Sequence, residues 1–480
     1  MMDVGAVAKG WSERVGLLRW SGRSSIVQRL ASGTFWLLTG TVTWRVLTAV
    51  STIFVARILG GPAFGELAMI RSTVDLFVVF GCFRLGSTAA KYVSQYRKVD
   101  PPRAGAILVL VSIASLITCL VTAILCLVLS PWMAQDLFDR PDIRPLMALS
   151  ALLIFFATFS AIQEVALSGF EAFKANALLS TFRGLSAIAF CVPLALLWGI
   201  KGVIISLLLD SVIALVICLA VLWKECVKQG VPLRIPRAKV LAEMPVLWRF
   251  ALPGVLAGLI MTGTMWVGRV ILVHRADGFM QLGLFAAANQ WRTPMLFLPS
   301  VLCRVMLPLV SESYSTAKTG DLQTTITVNL KVICMTALPI CLAIMCLANF
   351  IQGLYGEEFR QSAAILRILM PAVFLYAVDR VFERVFEGTG RRWTDMALTA
   401  GWSAIFSVVA LIAVPGLGGI GLALAFLCAQ ILLLVGRIVY VERALVPGSA
   451  TQSVRLLVSC LAVLAVAYVG SSYAAHEFLF

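Results

Sequence analysis

Long apolar blocks dominate this sequence and leave very few folds open to it. Blocks of about 20 residues or more suit a hydrocarbon core about 30 Å thick. They lack the polar residue at every second position that a membrane β-barrel strand needs. Backbone that faces lipid must satisfy its own hydrogen bonds, so continuous apolar blocks predict helices. Thirteen spans are predicted: 31–56, 63–86, 104–130, 146–168, 177–199, 202–223, 248–273, 280–308, 326–349, 362–386, 395–414, 417–440 and 454–474.

Charged residues make up only 13% of the 480 residues, whereas hydrophobic residues make up 60%. A soluble domain carries about 25% charged residues, because its surface has to be solvated by water. The sequence therefore predicts an all-α integral membrane protein. The net charge of +15 does not indicate a nucleic-acid partner, because the Lys and Arg residues lie mainly in alternate loops between the spans.

The distribution of loop charge predicts the orientation of the chain. Positively charged loops stay in the cytoplasm, which places the N-terminus and its basic segment, 1–29, on that side. This segment lacks the early apolar core of a cleavable signal, and is either an amphipathic helix at the membrane surface or a frayed tail. The predicted inner loops hold Lys91, Arg97, Lys98, Arg103, Lys174, the basic residues of 224–247, Arg391, Arg392 and Arg443, and the outer loops hold Asp136, Asp139, Asp142, Glu357 and Glu358.

The chain also repeats itself at a constant offset along its length. The matched residues are Arg57 with Arg275, Gly60 with Gly278, Gly65 with Gly283, Ala68 with Ala286, and Tyr96 with Tyr314. Six spans separate the copies, so the halves have one orientation and are related by an axis along the membrane normal. We predict an N-lobe of six helices (30–224), a cytoplasmic linker (225–247), a C-lobe of six helices (248–445) and one or two extra C-terminal helices, one of them in 446–480.

Several charged side chains lie inside predicted spans, where each charge costs about 2.5–3.5 kcal/mol on insertion scales. If the first two spans of each half line a shared cleft, their arginines form a cationic pocket at mid-depth. Arginine suits phosphate because its planar fork donates two parallel hydrogen bonds, and neighbouring amides can donate to sugar hydroxyls or phosphate. The predicted binding residues are Arg45, Arg71, Asp75, Arg269, Asn289, Gln290 and Arg292.

Simpler explanations apply to some of these charges. Asp75 follows Arg71 by one helical turn, so the two can neutralise each other, and Arg269 lies near a span end from which it can reach lipid headgroups. Arg45 has no acid within one turn. Asp210 is the best isolated acid and a candidate for proton or sodium coupling, although a polar contact between helices is the simpler explanation.

No motif for covalent chemistry or metal binding occurs in the sequence. The chain has two His residues and no CxxC pair, and nearly all of its Cys residues lie in apolar blocks. It has no GxxxxGK[ST] phosphate loop and no GxSxG elbow with histidine partners. We therefore expect no enzymatic activity, no metal and no cofactor other than a proton or sodium ion to which transport can be coupled.

The turn after the first span carries a motif. Residues 55–60 are VARILG, and Phe64, Gly65 and Ala68 follow. This stretch resembles the A-R-x-L-G-x-x-x-F-G-x-x-A signature of polysaccharide-repeat flippases, the Wzx-type proteins of the multidrug/oligosaccharidyl-lipid/polysaccharide exporter superfamily. In the second half, the segment 283–290 is similar to the family's G-x-Y/F-x-x-A segment. Pro308, which follows it, is similar to a proline that the family has near the inner end of helix eight. The resemblance covers residues 30–445.

This resemblance implies two six-helix lobes around a V-shaped cavity that opens alternately to either side of a bacterial inner membrane. The implied substrate is an oligosaccharide on a polyprenyl diphosphate carrier, loaded inside and released outside for surface polysaccharide biosynthesis. The arginine-rich cleft would hold the diphosphate and sugars while the prenyl tail stays in lipid. The implied partners are this lipid-linked oligosaccharide, membrane lipids, and the polysaccharide polymerase and chain-length machinery.

Other functions stay open at this point. A cation-coupled multidrug exporter of the same superfamily would bind its cargo through a membrane acid such as Asp75 or Asp210. A polytopic glycosyltransferase or polymerase would need essential acids in an outer loop, for which Asp136 and Asp139 are the candidates. A flippase for peptidoglycan precursors differs from the first reading only in its sugars.

Overall fold

The computed structural model describes residues 25–315, 319–446 and 449–477, so residues 1–24 of the predicted basic segment 1–29 lie outside the described residues. Within these ranges the chain is helical and has no β-strand, and the prediction of an all-α protein is confirmed. The helices are α1 (Ser25–Cys82), α2 (Leu85–Tyr96), α3 (Pro101–Trp132), α4 (Arg144–Ser168), α5 (Phe173–Ala189), α6 (Cys191–Lys228), α7 (Arg237–Ala242), α8 (Met244–Val273), α9 (Gly278–Gln290), α10 (Arg292–Ser315), α11 (Thr319–Cys346), α12 (Ala348–Gly353), α13 (Ser362–Gly388), α14 (Arg392–Leu417), α15 (Gly419–Ala444) and α16 (Ser449–Glu477).

Nine helices in the described ranges are long and apolar enough to cross a membrane, fewer than the thirteen predicted spans. The first two predicted spans form one assigned helix, α1, interrupted by the non-helical angles of Gly60 (φ 75°, ψ 173°). The α5 helix has 17 residues, and Gly258–Val273 is the apolar stretch of α8 within the described side chains. The eighth predicted span is divided at Trp291 between α9 and α10. A hydropathy average does not register breaks at single residues, such as those at Gly60 and Trp291.

The polar gap predicted at 225–247 is partly helical. The α6 helix continues to Lys228, α7 lies within the gap, and α8 begins at Met244. Pro232 and Pro236 lie between α6 and α7, where their missing N–H groups prevent a continuous helix. The lobe boundaries stay a prediction, whereas the helix ends beside them differ from the predicted ones by several residues.

The helices form two groups that meet along α1. Helices α1 to α6 pack mainly against one another, as do α8 to α16, and the main contacts between the groups join α1 to α8 and α9, and α2 to α8. At the centre of the second group, α13 buries Phe374, Phe382 and Phe386 completely. That each group contains six membrane spans stays a prediction.

Two glycines related by the sequence repeat bring α1 and α9 into backbone contact. A Cβ on Gly65 would lie 1.8 Å from the carbonyl oxygen of Phe279, and a Cβ on Gly283 would lie 2.2 Å from that of Gly61. The offset that matches Gly65 with Gly283 also matches Gly61 with Phe279, so each contact is the equivalent of the other. Small residues permit such close approach of helices in membranes. The predicted repeat is therefore visible in the packing between the groups.

A second pair of equivalent positions lies at helix breaks. Gly199 (φ 58°, ψ −136°) and Gly418 (φ 59°, ψ −130°) have nearly the same backbone angles, which residues other than glycine rarely adopt. The repeat offset matches these two glycines to within one position. Just beyond each break, Gly202 and Gly421 lie against a carbonyl group of the chain before the break. The two halves therefore make the same turn at the same place.

Candidate functional site

One end of the bundle, here called the Gly60 end because α1 breaks there, is closed by contacts between the two helix groups. Arg57 donates from Nε to the carbonyl oxygen of Leu354 at 2.6 Å. The ring of Phe64 meets that of Phe359 edge-on, with the centroids 5.8 Å apart. Because Arg57 and Phe64 both belong to the sequence motif, we infer that the motif serves to join the two groups at this end.

Short segments from both groups reach across the Gly60 end in equivalent ways. Arg140 of the first group lies over the ring of Phe279, 5.3 Å from its centroid. Glu358, which the repeat offset matches with Arg140, accepts a hydrogen bond from the backbone N–H of Gly61 at 2.9 Å. The repeat offset also matches Gly61 with Phe279. The same closing contact is therefore made twice, once by the cation Arg140 and once by the anion Glu358.

Four of the predicted binding residues come together where α1, α8 and α10 meet. Asp75 lies within direct electrostatic reach of Arg71 and Arg269, and Arg269 lies within reach of Arg292. Arg71 is eleven residues beyond the break in α1, or roughly 16 Å along the helix, which is about half of a 30 Å hydrocarbon core. These four residues and Arg45 are called the arginine site below, and their formal charges sum to +3.

Three arginines of this site are not closed off in ion pairs. Among the described residues, no carboxylate lies within salt-bridge distance of Arg71, Arg269 or Arg292, so Arg71 and Asp75 do not form a contact pair. Asp75 itself is exposed.

Arg45 reaches across the junction between the groups, and its role in binding stays a prediction. Its Nη1 donates to the carbonyl oxygen of Thr293 at 3.0 Å, and its guanidinium lies 5.1 Å from the ring centroid of Phe297. Both partners are on α10. Trp266 crosses the same junction by donating from Nε1 to Oγ1 of Thr73 at 3.0 Å. The contacts of Arg45 join α1 to the beginning of α10, and the hydrogen bond of Trp266 joins α1 to α8, both beside the arginine site.

The remaining predicted binding residues lie at the end of α9. Arg292 stacks over Tyr376 at 4.7 Å and over Phe426 at 5.3 Å, so aromatic rings of the second group hold it. Asn289 and Gln290 precede it in the chain and are half-buried. The structure shows no hydrogen bond from their side chains to other described residues, and their role in binding stays a prediction.

Asp210 is not isolated, which corrects the interpretation drawn from the sequence. Its carboxylate lies 3.6 Å from Nε of Arg183 and accepts a hydrogen bond from Ser186. Nη1 of Arg183 lies 3.0 Å from the carboxylate of Glu164. The side chains of Glu164, Arg183 and Asp210, here called the N-terminal triad, are 23%, 18% and 21% exposed.

The N-terminal triad borders a cavity of about 220 Å³ between α1, α5 and α6. Arg183 and Asp210 line it, and so does Arg71 of the arginine site. Polar and apolar side chains both line the cavity. Arg71 therefore faces both the junction between the groups and this cavity inside the first group.

A second triad lies on the equivalent helices of the other group. Arg437 on α15 lies 2.5 Å from Asp379 on α13 and 2.6 Å from Asp395 on α14. In this C-terminal triad the side chains of Arg437 and Asp379 are only 4% and 3% exposed. Each set of three helices, α4 to α6 and α13 to α15, thus contributes two acids and one arginine. The arginine lies on the middle helix, α5, in the first set and on the last helix, α15, in the second.

The sequence interpretation missed most of these charges. Glu164, Arg183 and Arg437 are single charges in apolar helices with no opposite charge one turn away, a pattern that indicates a partner on another helix. The pattern does not identify that partner, because it lies on a different helix in each case. Among the described residues, no group of three or more His, Cys, Asp or Glu is placed to hold a metal ion.

The family of polysaccharide biosynthesis proteins matches residues 30–314, more than half of the chain. The chain belongs to this family. Two curated relatives carry the name EPS I polysaccharide export inner membrane protein EpsE, one from Ralstonia nicotianae (28% identical over 255 residues) and one from Ralstonia solanacearum (26% over 199). The alignments cover 50% and 40% of this chain and 56% and 44% of the relatives, so the chain spans about half the length of the curated relatives it matches.

Solved structures with the same fold include transporters of the MOP superfamily. The lipid II flippase MurJ in an inward closed conformation has a TM-score of 0.69 at 16% identity, over 90% of this chain and 92% of that one. An inward-facing MATE family transporter scores 0.68 at 16% identity, over 86% and 95%. An outward-facing one scores 0.61 at 16% identity, over 89% and 96%. At this identity the likeness establishes the fold alone.

The family, the names of the relatives and the apolar helices agree on the general role of this chain. It is a helical membrane protein of the polysaccharide biosynthesis family. The two relatives are named as inner membrane export proteins.

Proposed function

We propose that this protein is a flippase that moves a polyprenyl-diphosphate-linked oligosaccharide across the cytoplasmic membrane by alternating access. The observation that carries the proposal is the arginine site, with four guanidinium groups and one carboxylate near mid-depth. Charges at this depth are expensive and mark substrate paths in membrane proteins. A diphosphate diester brings two negative charges to this site, and the names of the EpsE relatives and of MurJ support a sugar on a lipid carrier as cargo.

The arginine site supplies each part of the recognition. Arg71, Arg269 and Arg292 would bind the diphosphate through charge-assisted hydrogen bonds, which contribute about 1.5–3 kcal/mol each. Asp75 lowers the repulsion among the arginines while no anion is bound. Asn289 and Gln290 would meet the first sugars, and the prenyl tail would stay in lipid. The polymerase and chain-length machinery would then receive the product outside.

Closure of the Gly60 end fits one state of such a cycle. With the N-terminus in the cytoplasm, as loop charge predicts, the Gly60 end faces outside and the carrier is closed on that side. To open it, the hydrogen bonds from Arg57 to Leu354 and from Gly61 to Glu358 must break. Each contributes about 0.5–3 kcal/mol, so the two states differ by an amount that cargo or ion binding can supply.

Two alternatives are less well supported by the geometry. The likeness to MATE transporters favours a multidrug exporter, but a cationic drug needs a site of net negative charge, and the arginine site is positive. An outer-loop enzyme would act through Asp136 or Asp139, in the loop that Arg140 fastens to α1 by its pairs with Asp142 at 2.7 Å and Glu66 at 2.6 Å. The names of the relatives favour export instead, so we propose no catalytic activity.

The proposal is tested by surface polysaccharide in cells whose own copy is replaced by variants. Arg71→Ala and Arg269→Ala should each lower export roughly 10- to 100-fold at normal protein level, because each removes a charged contact to the diphosphate. The control is Arg360→Ala, which removes a 60% exposed arginine from a surface pair with Glu357. Lipid-linked oligosaccharide should accumulate in the cytoplasmic leaflet of the first two strains.

Normal export by both arginine variants would contradict the flippase proposal. Drug resistance that is conferred by the wild type and lost in Asp75→Asn would instead support the exporter. Loss of export with Asp136→Asn or Asp139→Asn, at normal levels of lipid-linked precursor, would support the enzyme.

A further inference from the structure

The accessible face of the second half of α13 consists only of polar side chains. Every residue from Ala372 to Glu387 is buried except five, which are half-buried: Tyr376, Arg380, Glu383, Arg384 and Glu387. Their spacing of four, three, one and three residues places them in one row along the helix. These five residues are called the α13 stripe below.

A row of this composition is not suited to contact with lipid. A helix that faces lipid exposes apolar side chains, as α14 does with Val408, Leu411 and Ile412, which are 55–76% exposed. Charged side chains within a membrane bundle face its interior or a water-filled space. The four charged side chains of the α13 stripe are 18–29% exposed. The stripe therefore lines an opening inside the bundle.

The α13 stripe begins at the arginine site. The guanidinium of Arg292 lies 4.7 Å from the ring centroid of Tyr376, the first residue of the stripe. Since Glu358, just before α13, contacts Gly61, the helix runs away from the Gly60 end. Eleven residues separate Tyr376 from Glu387, or roughly 16 Å along the helix. A molecule with its diphosphate at the arginine site could therefore extend along the stripe toward the opposite end of the bundle.

The charges of the α13 stripe cancel, unlike those of the arginine site. Nη1 of Arg380 lies 2.6 Å from the carboxylate of Glu383, and Arg384 pairs with Glu387 in the same way. Two guanidinium groups and two carboxylates sum to zero, so neither an anion nor a cation is favoured by net charge. The arginine site, at +3, is by contrast suited to an anion.

The α13 stripe has hydrogen-bonding groups beyond those used in its own pairs. The structure gives Arg380 and Arg384 one hydrogen bond each to a described residue, whereas a guanidinium can donate five. A carboxylate offers about four acceptor positions. Hydroxyl groups both donate and accept, so a neutral molecule with several hydroxyls can bind donors and acceptors that alternate along a helix. Sugars are the molecules of this kind that the proposed cargo contains.

We propose that the α13 stripe is a binding subsite for the neutral sugars of the cargo, next to the diphosphate. Arg380 and Arg384 donate to hydroxyl oxygens, and Glu383 and Glu387 accept from hydroxyl groups. The arginine site would then bind the diphosphate, and the stripe would distinguish one sugar from another by the positions of its hydroxyls. This inference rests on the proposed function, because it places the diphosphate at the arginine site.

The subsite is tested by the binding of two ligands to the purified full-length protein in lipid nanodiscs. One is a polyprenyl methyl diphosphate, which keeps the two charges of the cargo's diphosphate and carries no sugar. The other is the lipid-linked oligosaccharide isolated from cells that lack this protein. The wild type should bind the second ligand at least about tenfold more tightly, because hydrogen bonds to hydroxyls add to those of the diphosphate.

Two variants separate sugar binding from a structural role of the ion pairs. Glu383→Gln should reduce the preference for the oligosaccharide about two- to tenfold and leave the affinity for the methyl diphosphate unchanged. The exchange Arg380→Glu/Glu383→Arg keeps the pair and the net charge but reverses donor and acceptor. It should unfold at the wild-type temperature and lose the preference. The control, Glu357→Gln, makes the first change in a surface pair with Arg360 and should keep the preference.

Full preference for the oligosaccharide in the exchange variant would overturn the sugar subsite, and so would equal losses of affinity for both ligands in Glu383→Gln. Equal binding of the two ligands by the wild type would also overturn it, while the proposed function would stand. Binding of neither ligand would contradict the proposed function as well. If the exchange variant does not fold, Glu383→Gln decides between sugar binding and a purely structural pair.

Discussion

The two triads use the same charges in equivalent helices, yet they differ in their access to water. In the N-terminal triad the guanidinium of Arg183 is 18% exposed, and the triad borders a cavity. In the C-terminal triad Arg437 is 4% exposed and bonds both Asp379 and Asp395 at 2.5–2.6 Å. Tight contacts without water fix three helices together, because separating the charges leaves them unsolvated.

At the Gly60 end, in contrast to the triads, the two halves make equivalent contacts. There the contacts of Gly65 and Gly283 are equivalent, and Arg140 and Glu358 occupy matching positions with opposite charge. Closure needs surfaces that fit each other across the axis of the repeat, so both halves have to keep the same shape. The triads lie within one half each and have no such requirement.

The largest effect should come from the arginine of the drier triad. Arg437→Leu leaves the buried carboxylate of Asp379 and the half-buried one of Asp395 without their partner, and should lower stability by about 3–5 kcal/mol. Arg183→Leu should lower it by only about 1–3 kcal/mol, because water in the cavity solvates the remaining acids. Thermal unfolding of the purified proteins compares the two. Equal losses would show that the triads do not differ in solvation.

A double variant sharpens this result. The variant Asp379→Asn/Arg437→Leu removes the arginine and also one of the two carboxylates that lose it as a partner. Part of the lost stability should return, because the residues interact directly. If the double variant is no more stable than Arg437→Leu alone, the loss is due to packing and not to charge.

An intermediate effect is expected for the paired glycines. Gly65→Ala and Gly283→Ala each place a methyl group within 2.2 Å of a carbonyl oxygen, and should weaken closure by about 1–3 kcal/mol. Equivalent contacts predict similar shifts toward an open Gly60 end, seen as longer spin-label distances across it. Gly401→Ala is the control, because nothing lies within 4 Å of its added Cβ. A large effect from only one of the two would break the equivalence.

The smallest effect should come from Glu358→Gln. Its carboxylate accepts a charge-assisted hydrogen bond from Gly61, and the amide that replaces it still accepts one. Closure should weaken by about 1 kcal/mol, measured by the same distances. Glu357→Gln alters only a surface pair with Arg360 and should have almost no effect. Equal shifts for both variants would mean that Glu358 does not close the Gly60 end.

Those distances can be measured between labels on the two groups. Arg144→Cys, at the beginning of α4, and Leu417→Cys, at the exposed end of α14, place one label on each group and leave the Glu357–Arg360 pair intact. The exposed Cys346 and Cys428 are replaced by Ser in this background, because they would otherwise be labelled as well.

Much of the fold was accessible from the sequence because the membrane restricts it so strongly. Apolar block length indicated helices, and the motif beside Gly60 indicated the superfamily. The repeat, drawn from few identities, recurs in the equivalent backbone contacts of Gly65 and Gly283. The grouping of Arg71, Asp75, Arg269 and Arg292 was also expected, because equivalent spans of a repeat meet at its axis.

The sequence by itself determined what must be buried in lipid, which charges are costly there, and that the chain is built from two similar parts. These properties follow from residue type and order alone. Only the tertiary structure decided which costly charges share a partner: it joined Asp210 to Arg183 and Glu164 across three helices and placed a cavity beside them. The reason is that helices fix neighbours one turn apart, whereas contacts between helices depend on how every other side chain packs.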